Sequence, residues 1–467
     1  MQIPGLMERA SQRAITLVKP RRDSFKSPKP DAPRVLVYDI FSEVNRRGGY
    51  SNLLLPQALN ASNFEQRDKG FATELLYGTL RMQGRHDYIL AQVSDRPWSE
   101  VDEGIVDICR LGVHQLFEMR VATHAAVSAT VELARKVIGE SKASFVNAIL
   151  RKVSAKSLEE WMEPVLLMSD PVSRLSIQYS HPEWIVSAYF DLLKDFDRVE
   201  AELAANNVPA MPTLVSWPGS STQEELVAEG GVATRYSPYG AKFDGPPGSL
   251  DLIRHRKAGV QDEGSQLVAL AFSSATQSAK SVLDLCAGPG GKAALISHIC
   301  DVEGRDFVAN EVSEARAKLV KNVVGRFPVW VGDGREIASH DEHFDAIIAD
   351  VPCTGLGALR RRPEVRWRRT LQDLRALTEL QLELSNAAIT ALNAGGIFAY
   401  ATCSPHFAET FGQVKMIVKA HPELEQIDVS PYLPTSLQGA VRDKCMALWT
   451  SVHDTDSMFL ALFKKSA

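Results

Sequence analysis

Hydrophobic positions recur at helical spacing through the first third of the chain. The clearest case is a set of four apolar residues about one helical turn apart: Val127, Val131, Ala134 and Ile138. Similar spacing runs through residues 71–77 and 108–117, and strand patterns are nearly absent there. We therefore predict an all-helical domain over residues 33–155.

The last part of the chain has a different pattern, in which short apolar runs alternate with helical stretches. The runs cover residues 281–285, 306–310, 329–331, 346–349 and 396–400. Such alternation predicts a doubly wound, mostly parallel sheet, so residues 251–467 should form a Rossmann-like α/β domain. The longest helix of this domain is predicted over residues 371–393, with Gly395 and Gly396 as its stop signal.

Two further segments complete the organisation. Residues 156–250 mix a helical piece after Ser180 with short β-type runs and Pro-Gly turns, which predicts a small α+β module. Residues 1–32 hold seven Lys or Arg against three acids and are followed closely by Pro33. This composition cannot bury a core, so we predict a mobile basic arm that is either a solvated tail or a contact to RNA phosphates.

Composition narrows the protein class. A chain of 467 residues with 45% apolar and 23% charged residues is expected to build two or three packed domains. The net charge of −5 means that any nucleic acid must bind through local basic patches. The six cysteines form no CxxC pair, so we expect free thiols and no metal site. No run approaches 18 apolar residues, and we expect a soluble, cytoplasmic, monomeric protein without membrane contact.

A glycine-rich turn follows the first strand of the predicted sheet, and acidic residues follow the next three strands. In doubly wound sheets ligands bind beyond the carboxyl ends of the strands, where glycines let the backbone approach a ligand. This pattern predicts an adenosyl-type cofactor. The residues expected to contact it are Cys286, Ala287, Gly288, Pro289, Gly290, Gly291, Lys292, Glu311, Asp333 and Asp350.

The form of the turn favours one cofactor over another. A dinucleotide would require G-x-G-x-x-G and a pyrophosphate clamp, whereas residues 288–292 read GPGGK. Glu311 suits the ribose hydroxyls, Asp333 the adenine amine and Asp350 an ammonium group. This set of contacts fits S-adenosylmethionine better than NAD.

Two cysteines are predicted at adjacent strand ends, Cys353 and Cys403. Carbon 5 of a pyrimidine is not nucleophilic by itself, but addition of a thiolate to carbon 6 makes an enamine whose carbon 5 can attack a sulfonium methyl. A second group must then remove the carbon 5 proton so that the thiol leaves by elimination. The alternative is that both cysteines are merely small buried residues in a sheet. Spacing alone does not decide which thiol attacks.

Several motifs together resemble the RNA cytosine-5 methyltransferases of the RsmB (Sun/Fmu) type in the NOP2/Sun family. The motifs are LDLCAGPGGK at residues 283–292, DVPCTG at 350–355, RRPEVRW at 361–367 and YATCS at 400–404. Upstream, residues 71–81, 111–116 and 145–151 resemble the NusB-like helical domain of that branch, and residues 261–265 the lead into its catalytic domain.

The resemblance implies a reaction and roles for individual residues. It implies methyl transfer from S-adenosylmethionine to carbon 5 of an RNA cytosine, with 16S ribosomal RNA the favoured substrate. In this family the nucleophile matches Cys403, and the cysteine implicated in product release matches Cys353. Lys292 and Asp350 match positions near the methyl group and the target base. The chain departs from the family at Glu311, where Asp is usual, and in two short runs, residues 405–409 and 456–459.

A basic segment follows the Pro-Cys motif directly, with six arginines in residues 360–369. Arginines bind phosphates and stack on unpaired bases. We therefore predict RNA contacts, with a solvated basic face as the alternative, at Arg360, Arg361, Arg362, Arg366 and Arg368. The helical domain is either a second RNA platform or a scaffold. Its candidates are Arg81, Arg85, Arg110 and Arg151, which the sequence does not place on one face.

Other functions compete with this interpretation. The chain could be a NusB-like RNA-binding factor that has lost activity, although Cys353, Cys403, Asp350 and Lys292 are all intact. An amino-directed methyltransferase would carry an Asp/Asn-Pro-Pro-aromatic loop, which is absent here. A transfer RNA or another RNA could be the substrate in place of ribosomal RNA.

Overall fold

The computed structural model describes residues 31–467. Nearly all of the predicted basic arm, residues 1–30, lies outside the described residues.

Six helices form the first domain, around one hydrophobic core that extends from Val37 to Trp161. The central helix is 28 residues long and packs against the first and fourth helices. Asp102 begins the fourth helix by accepting hydrogen bonds from the N–H groups of Gly104 and Ile105, a common way to satisfy the open end of a helix. The helices are α1 (Ala32–Arg47), α2 (Ser51–Ala61), α3 (Gln66–Val93), α4 (Glu103–Phe117), α5 (Thr123–Ile138) and α6 (Glu140–Val153).

The middle of the chain combines helices with a small antiparallel sheet. Its strands are arranged in the order β2-β3-β1-β4. Strand β4 lies past residue 250, so the small sheet extends into the segment that the sequence assigns to the α/β domain. The elements are α7 (Leu158–Leu166), α8 (Pro171–Gln178), α9 (Glu183–Leu193), α10 (Phe196–Ala205), β1 (Thr213–Ser216), α11 (Gln223–Ala228), β2 (Val232–Ala233), β3 (Gly240–Lys242), α12 (Asp251–Arg254) and β4 (Ala258–Val260).

A nine-stranded sheet organises the rest of the chain, in the order β11-β12-β13-β9-β8-β5-β6-β7 with β10 beside β13. The five strands from β5 to β9 are parallel, and β13 joins β9 antiparallel. This arrangement confirms the predicted Rossmann-like α/β fold preceded by helices. The strands are β5 (Ser281–Asp284), β6 (Asp306–Glu311), β7 (Val329–Val331), β8 (Phe344–Asp350), β9 (Leu392–Thr402), β10 (Leu424–Ile427), β11 (Val441–Arg442), β12 (Cys445–Ala447) and β13 (Phe459–Lys465).

Seven helices accompany this sheet, and hydrophobic cores lie on both of its faces. They are α13 (Glu263–Ala275), α14 (Gly291–Glu303), α15 (Glu314–Lys321), α16 (Val365–Arg368), α17 (Leu371–Thr390), α18 (Phe411–Ala420) and α19 (Thr450–His453). No helix within residues 31–467 is long and apolar enough to cross a bilayer.

The predicted end of the longest helix is wrong. Helix α17 ends at Thr390, and β9 already begins at Leu392. Gly395 lies inside the strand with a φ of 75°, where the pairing between β8 and β9 shifts register. The two glycines therefore accommodate a bulge near the start of the strand. A pair of glycines is equally typical of a helix end, so the sequence does not distinguish the two cases.

The segment after the Pro-Cys loop anchors the helical domain to the α/β domain. Glu364 is buried and accepts hydrogen bonds from the N–H and hydroxyl of Ser51, at 3.2 and 2.8 Å. The Trp367 indole donates to the carbonyl of Leu80 at 3.0 Å. A Cβ at Gly84 would come within 2.4 Å of the Trp367 ring, so α3 packs against this ring only because it has glycine there.

Two glycines of α3 test this contact. Gly84→Ala should destabilise the protein by about 1–3 kcal/mol, because the added methyl group overpacks the Trp367 contact. Gly70→Ala is the matched control, since an added Cβ meets nothing within 4 Å and should gain up to about 1 kcal/mol of helix propensity. Thermal unfolding of both variants would measure the difference. Equal midpoints would contradict the packing described.

Candidate active site

The glycine-rich loop after β5 lies against the end of β6. Gly290 has a φ of 114° and precedes the first residue of α14. The Gly288 N–H donates to Glu311 Oε2 at 3.0 Å, and a Cβ at Gly288 would lie 2.1 Å from the same oxygen. Glycine is therefore required at residue 288 for the loop to reach this carboxylate.

Carboxylates and an amide order the strand ends around this loop. Glu311 also accepts from the Ser313 N–H at 2.8 Å and pairs with Arg316 at 2.7 Å. Asn310, which the sequence interpretation missed, donates to the carbonyls of Leu285 and Gly332 at 3.0 and 3.2 Å. Its amide ties together the ends of three parallel strands.

The acid predicted to contact the adenine lies at the next strand end. Asp333 follows β7 and is bound by Arg335, whose Nη2 lies 2.6 Å from Oδ2. Hydrogen bonding from Arg335 lowers the pKa of Asp333, so the carboxylate is charged near neutral pH. Its carboxylate oxygens accept hydrogen bonds from the backbone N–H and the guanidinium group of Arg335.

One acid at the end of β5 has no partner for one of its oxygens. Asp284 is buried, its Oδ1 accepts from the Cys286 N–H at 3.3 Å, and its Oδ2 has no hydrogen-bond partner in the described chain. Burial and the neighbouring Asp350 raise the pKa of Asp284 to about 7. The orphaned carboxyl oxygen of Asp284 fits a hydroxyl or ammonium donor of S-adenosylmethionine. The glycine loop and the open N-terminus of α14 fit its carboxylate.

The two predicted thiols lie together. Cys353 Sγ and Cys403 Sγ are 3.3 Å apart, and both side chains are partly accessible. Strands β8 and β9 pair in parallel with Asp350 opposite Ala401, so each cysteine follows its strand at the same edge of the sheet. Neither is the fully buried sheet residue of the alternative interpretation.

A lysine and a carboxylate lie beside the thiols. Lys292 Nζ donates to Asp350 Oδ2 at 2.8 Å, and the Lys292 side chain is only 9% exposed. The Lys292 ammonium is close enough to Cys403 to favour its thiolate electrostatically. The structure therefore brings together all four predicted catalytic residues.

The surroundings of the two thiols differ in charge. A hydrogen bond from Cys353, assisted by Lys292, holds the pKa of Cys403 below the ordinary thiol value. The same hydrogen bond, together with burial and nearby Glu409, raises the pKa of Cys353 well above it. The Lys292 ammonium near Cys403 and the Glu409 carboxylate near Cys353 therefore favour a thiolate on Cys403, with Cys353 as the S–H donor.

Residues 405–409 differ from the family pattern, and their last residue, Glu409, is buried against the loop that contains Pro352 and Cys353. Glu409 accepts from the Thr354 N–H at 2.8 Å and from Gln381 Nε2 at 3.0 Å, while Gln381 also donates to the carbonyl of Pro352. Tyr400 donates to the carbonyl of Glu409 at 2.8 Å. The unusual run therefore keeps a carboxylate that orders the backbone next to Cys353, a role that the sequence interpretation left open.

The sequence interpretation also missed an acid pair near the loop that follows β9. Asp262 is buried and accepts from the Asp456 N–H at 2.9 Å. Burial, with Asp456 nearby, raises the pKa of Asp262 to about 6. Arg361 forms an ion pair with Asp456, which lies in the second run that departs from the family. Acids distant in sequence could not be paired from the sequence alone.

Two of the five arginines predicted to contact RNA are buried, and those predictions are wrong. Arg366 is fully buried and bonds to oxygens of the helical domain and the middle segment. Arg360 is 8% exposed and donates to Asp454 Oδ1 and its carbonyl, each at 2.7 Å. Both guanidinium groups complete contacts between segments that are distant in sequence, which no local pattern of arginines reveals.

The other three arginines keep part of their surface. Arg361 pairs with Asp456 but its side chain is 43% exposed, and Arg362 lies 5.1 Å from the centre of the Tyr50 ring. Arg368 donates to the carbonyl of Val44 at 2.8 Å. RNA contact by these three residues stays a prediction.

Asp284→Asn tests the raised pKa of the Asp284 carboxyl group. Because the folded-state pKa of Asp284 is raised from 3.8 to about 7, the native state binds the proton more tightly than the unfolded chain. The free energy of unfolding should therefore fall as pH rises from about 4 to about 7. In the cofactor-free protein, Asp284→Asn should weaken this fall, measured by chemical unfolding at several pH values. Asp306→Asn, at the exposed start of β6, is the control, and equal pH dependence in all three proteins would contradict the assignment.

Comparison with known families agrees with this architecture. The model for the family described as 16S rRNA methyltransferase RsmB/F matches residues 271–464. The model for the NusB family matches residues 31–155.

Individual relatives extend the match to nearly the whole chain. The relative Rv1407 of Mycobacterium tuberculosis is 39% identical over 444 residues, covering 93% of this chain and 97% of the relative. The ribosomal RNA small subunit methyltransferase B of Pseudomonas putida is 31% identical over 401 residues, covering 81% and 87%.

Solved structures share the fold. PH0851 superposes with a TM-score of 0.76 at 19% identity, covering 93% of this chain and 98% of that one. NSun6 from Pyrococcus horikoshii with SFG gives a TM-score of 0.52 at 17% identity, covering 61% and 98%. The family matches and the ribosomal RNA methyltransferase of Pseudomonas putida place the chain in the RsmB/F family of S-adenosylmethionine-dependent 16S rRNA methyltransferases, with a NusB domain at its N-terminal side.

Proposed function

We propose that this enzyme methylates carbon 5 of a cytosine in 16S ribosomal RNA through a covalent bond between Cys403 and carbon 6. The observation that carries the proposal is the pair of thiols 3.3 Å apart, beside the Lys292–Asp350 ion pair, at one edge of the parallel sheet. Two separate thiols suit a reaction with two separate steps, addition and elimination. An enzyme that methylates an amino group needs neither of these thiols, because the amino nitrogen attacks the methyl group directly.

The first step is activation of the nucleophile. Cys403 is the thiol whose pKa is lowered, by the hydrogen bond from Cys353 and by the Lys292 ammonium. Its thiolate adds to carbon 6 of the cytosine, and the electron pair moves to carbon 5 as an enamine. S-adenosylmethionine, when bound, supplies the methyl group that carbon 5 takes up.

The second step releases the product. The proton on carbon 5 must leave to a base, and the electron pair of that C–H bond restores the ring double bond as Cys403 is expelled from carbon 6. Cys353 Sγ lies 3.3 Å from Cys403 Sγ, and its S–H can stabilise the leaving thiolate through this contact. We therefore assign Cys353 to the release of the methylated RNA.

Lys292 and Asp350 complete the site. The ion pair holds each side chain in a defined position, with the Lys292 head group buried. Lys292 favours the thiolate of Cys403, while the Asp350 carboxylate is available to accept from the amino group of the target base. The cofactor contacts remain assigned to residues 286–292, Glu311, Asp333 and Asp350.

Alanine substitutions separate the roles of the two cysteines. Cys403→Ala should abolish methyl transfer from labelled S-adenosylmethionine to 16S RNA, because no adduct can form. Cys353→Ala should accumulate a covalent protein–RNA complex that survives denaturing electrophoresis, because elimination is slowed. Cys300→Ala, which removes a buried thiol away from the site, is the control. An adduct in Cys403→Ala protein would reverse the assignment.

The substrate needs its own test. Bisulfite sequencing of ribosomal and transfer RNA from a strain lacking the gene should reveal one unmethylated cytosine in 16S RNA. Loss of a methyl group from transfer RNA alone would instead favour that alternative substrate. A protein that binds RNA but incorporates no label would be the inactive binding factor.

Lys292→Met tests the activation of Cys403 directly. Without the ammonium the pKa of Cys403 should rise, so alkylation of its thiolate by iodoacetamide should require a higher pH. Mass spectrometry of the peptide containing Cys403 gives the pH midpoint. Lys318→Met, an exposed lysine of α15, should leave the midpoint unchanged. If Lys292→Met and the wild-type protein had the same midpoint, Lys292 would not lower the pKa of Cys403.

A further inference from the structure

A cavity of about 520 Å³ lies between the helical domain and the middle segment. It is lined by α3 and α4 on one side and by residues from α8 to the end of α10 on the other. The polar lining residues include Glu74, Arg81, Arg85, His114, Gln178 and Asn207. We call it the Arg81 cavity.

Arg81 lines this cavity, and no acid of the described chain forms an ion pair with its guanidinium group. Its residue is 5% exposed, and its Nε has no hydrogen-bond partner within residues 31–467. Beyond the hydrogen bonds of its own helix, its backbone carbonyl accepts from Arg366 Nη1 at 3.3 Å. A buried guanidinium that lacks acceptors is costly, and such groups are nearly always satisfied by protein, water or ligand.

A second buried guanidinium lies behind the first. Arg366 is fully buried, and its four acceptors are neutral oxygens: the carbonyls of Arg81, Ser180 and Asn206, and Oδ1 of Asn207. Burial and the nearby Arg81 lower the pKa of Arg366 to about 9. Two cations therefore influence one another electrostatically here, and one of them, Arg81, lies at the wall of the cavity.

The carboxylates of this region are already engaged. Glu74 lies 3.2 Å from His114 Nε2, and its side chain is 47% exposed. Solvent therefore screens its electrostatic attraction to Arg81. Glu118 pairs with Arg85. Glu364 accepts from Ser51 on the far side of the segment. No acid in the described chain forms an ion pair with Arg81 or Arg366.

We propose that the Arg81 cavity binds a phosphate group, and that the group belongs to the backbone of the RNA substrate. A phosphate offers several acceptor oxygens to the planar donors of arginine, which bind it in a bidentate manner. The site joins two segments of the chain, so a bound backbone would span them. This source of the phosphate rests on the proposed function, whereas inorganic phosphate shares the same chemistry.

Inorganic phosphate is the first probe, used on the cofactor-free full chain at constant ionic strength against chloride. Phosphate should raise the thermal midpoint of the wild-type protein, because a ligand that binds only the native state stabilises it. Arg81→Gln should lose this shift. Arg67→Gln, the exposed arginine in the first turn of the same helix, should keep it.

RNA is the second probe. Binding of 16S RNA by Arg81→Gln should weaken about tenfold, since a charged hydrogen bond is lost, and the slope of log affinity against log salt should decrease by about one. A variant that lost only a structural role would keep the wild-type salt slope. Arg81→Lys, which retains the charge, should recover part of the affinity.

Each outcome decides the proposal. Stabilisation by phosphate together with a reduced salt slope supports an RNA phosphate in the cavity. Stabilisation without a change in slope supports the phosphate site but overturns RNA as its source. Absence of any phosphate shift in the wild-type protein overturns the site, even if Arg81→Gln fails to fold. None of these measurements requires methyl transfer, so failure of the cytosine-5 chemistry would be seen separately.

Discussion

The parallel pairing of β8 with β9 is the interaction on which the site depends. With Asp350 opposite Ala401, the two strands end level with one another, and Cys353 and Cys403 follow within three residues. A slip of one residue would reverse the direction of every side chain along β9. The bulge at Gly395 lies at the opposite end of β9, so it absorbs a register irregularity without disturbing the thiols.

Much of the site was predictable from the sequence because its residues sit at strand ends. Short apolar runs locate the parallel strands, and in a doubly wound sheet their carboxyl ends must meet. This rule alone predicts that Lys292, Asp350, Cys353 and Cys403 lie together, as they do. It does not rank the two thiols. Their different charge surroundings, with Lys292 near one and Glu409 near the other, emerge only in three dimensions.

The features that escaped prediction are contacts between segments far apart in sequence. Six arginines in ten residues suggest a basic surface, yet Arg366 fills the junction with the helical domain and Arg360 binds acids near the end of the chain. The role of Glu409 escaped prediction for the same reason, since its partners, Thr354 and Gln381, are distant in sequence. Local composition reports charge, whereas burial depends on which surfaces the fold brings together.

The anchoring segment after the Pro-Cys loop limits how this enzyme can be divided. Leu356, Leu359 and Val365 pack into one hydrophobic cluster with α8, α9 and α10, while Trp367 is seated against α3. A fragment that begins at β5 would expose these apolar side chains to water and remove the four oxygens that accept from Arg366. We therefore expect the helical domain to stabilise the methyltransferase domain, so truncation is a poor route to a minimal catalyst.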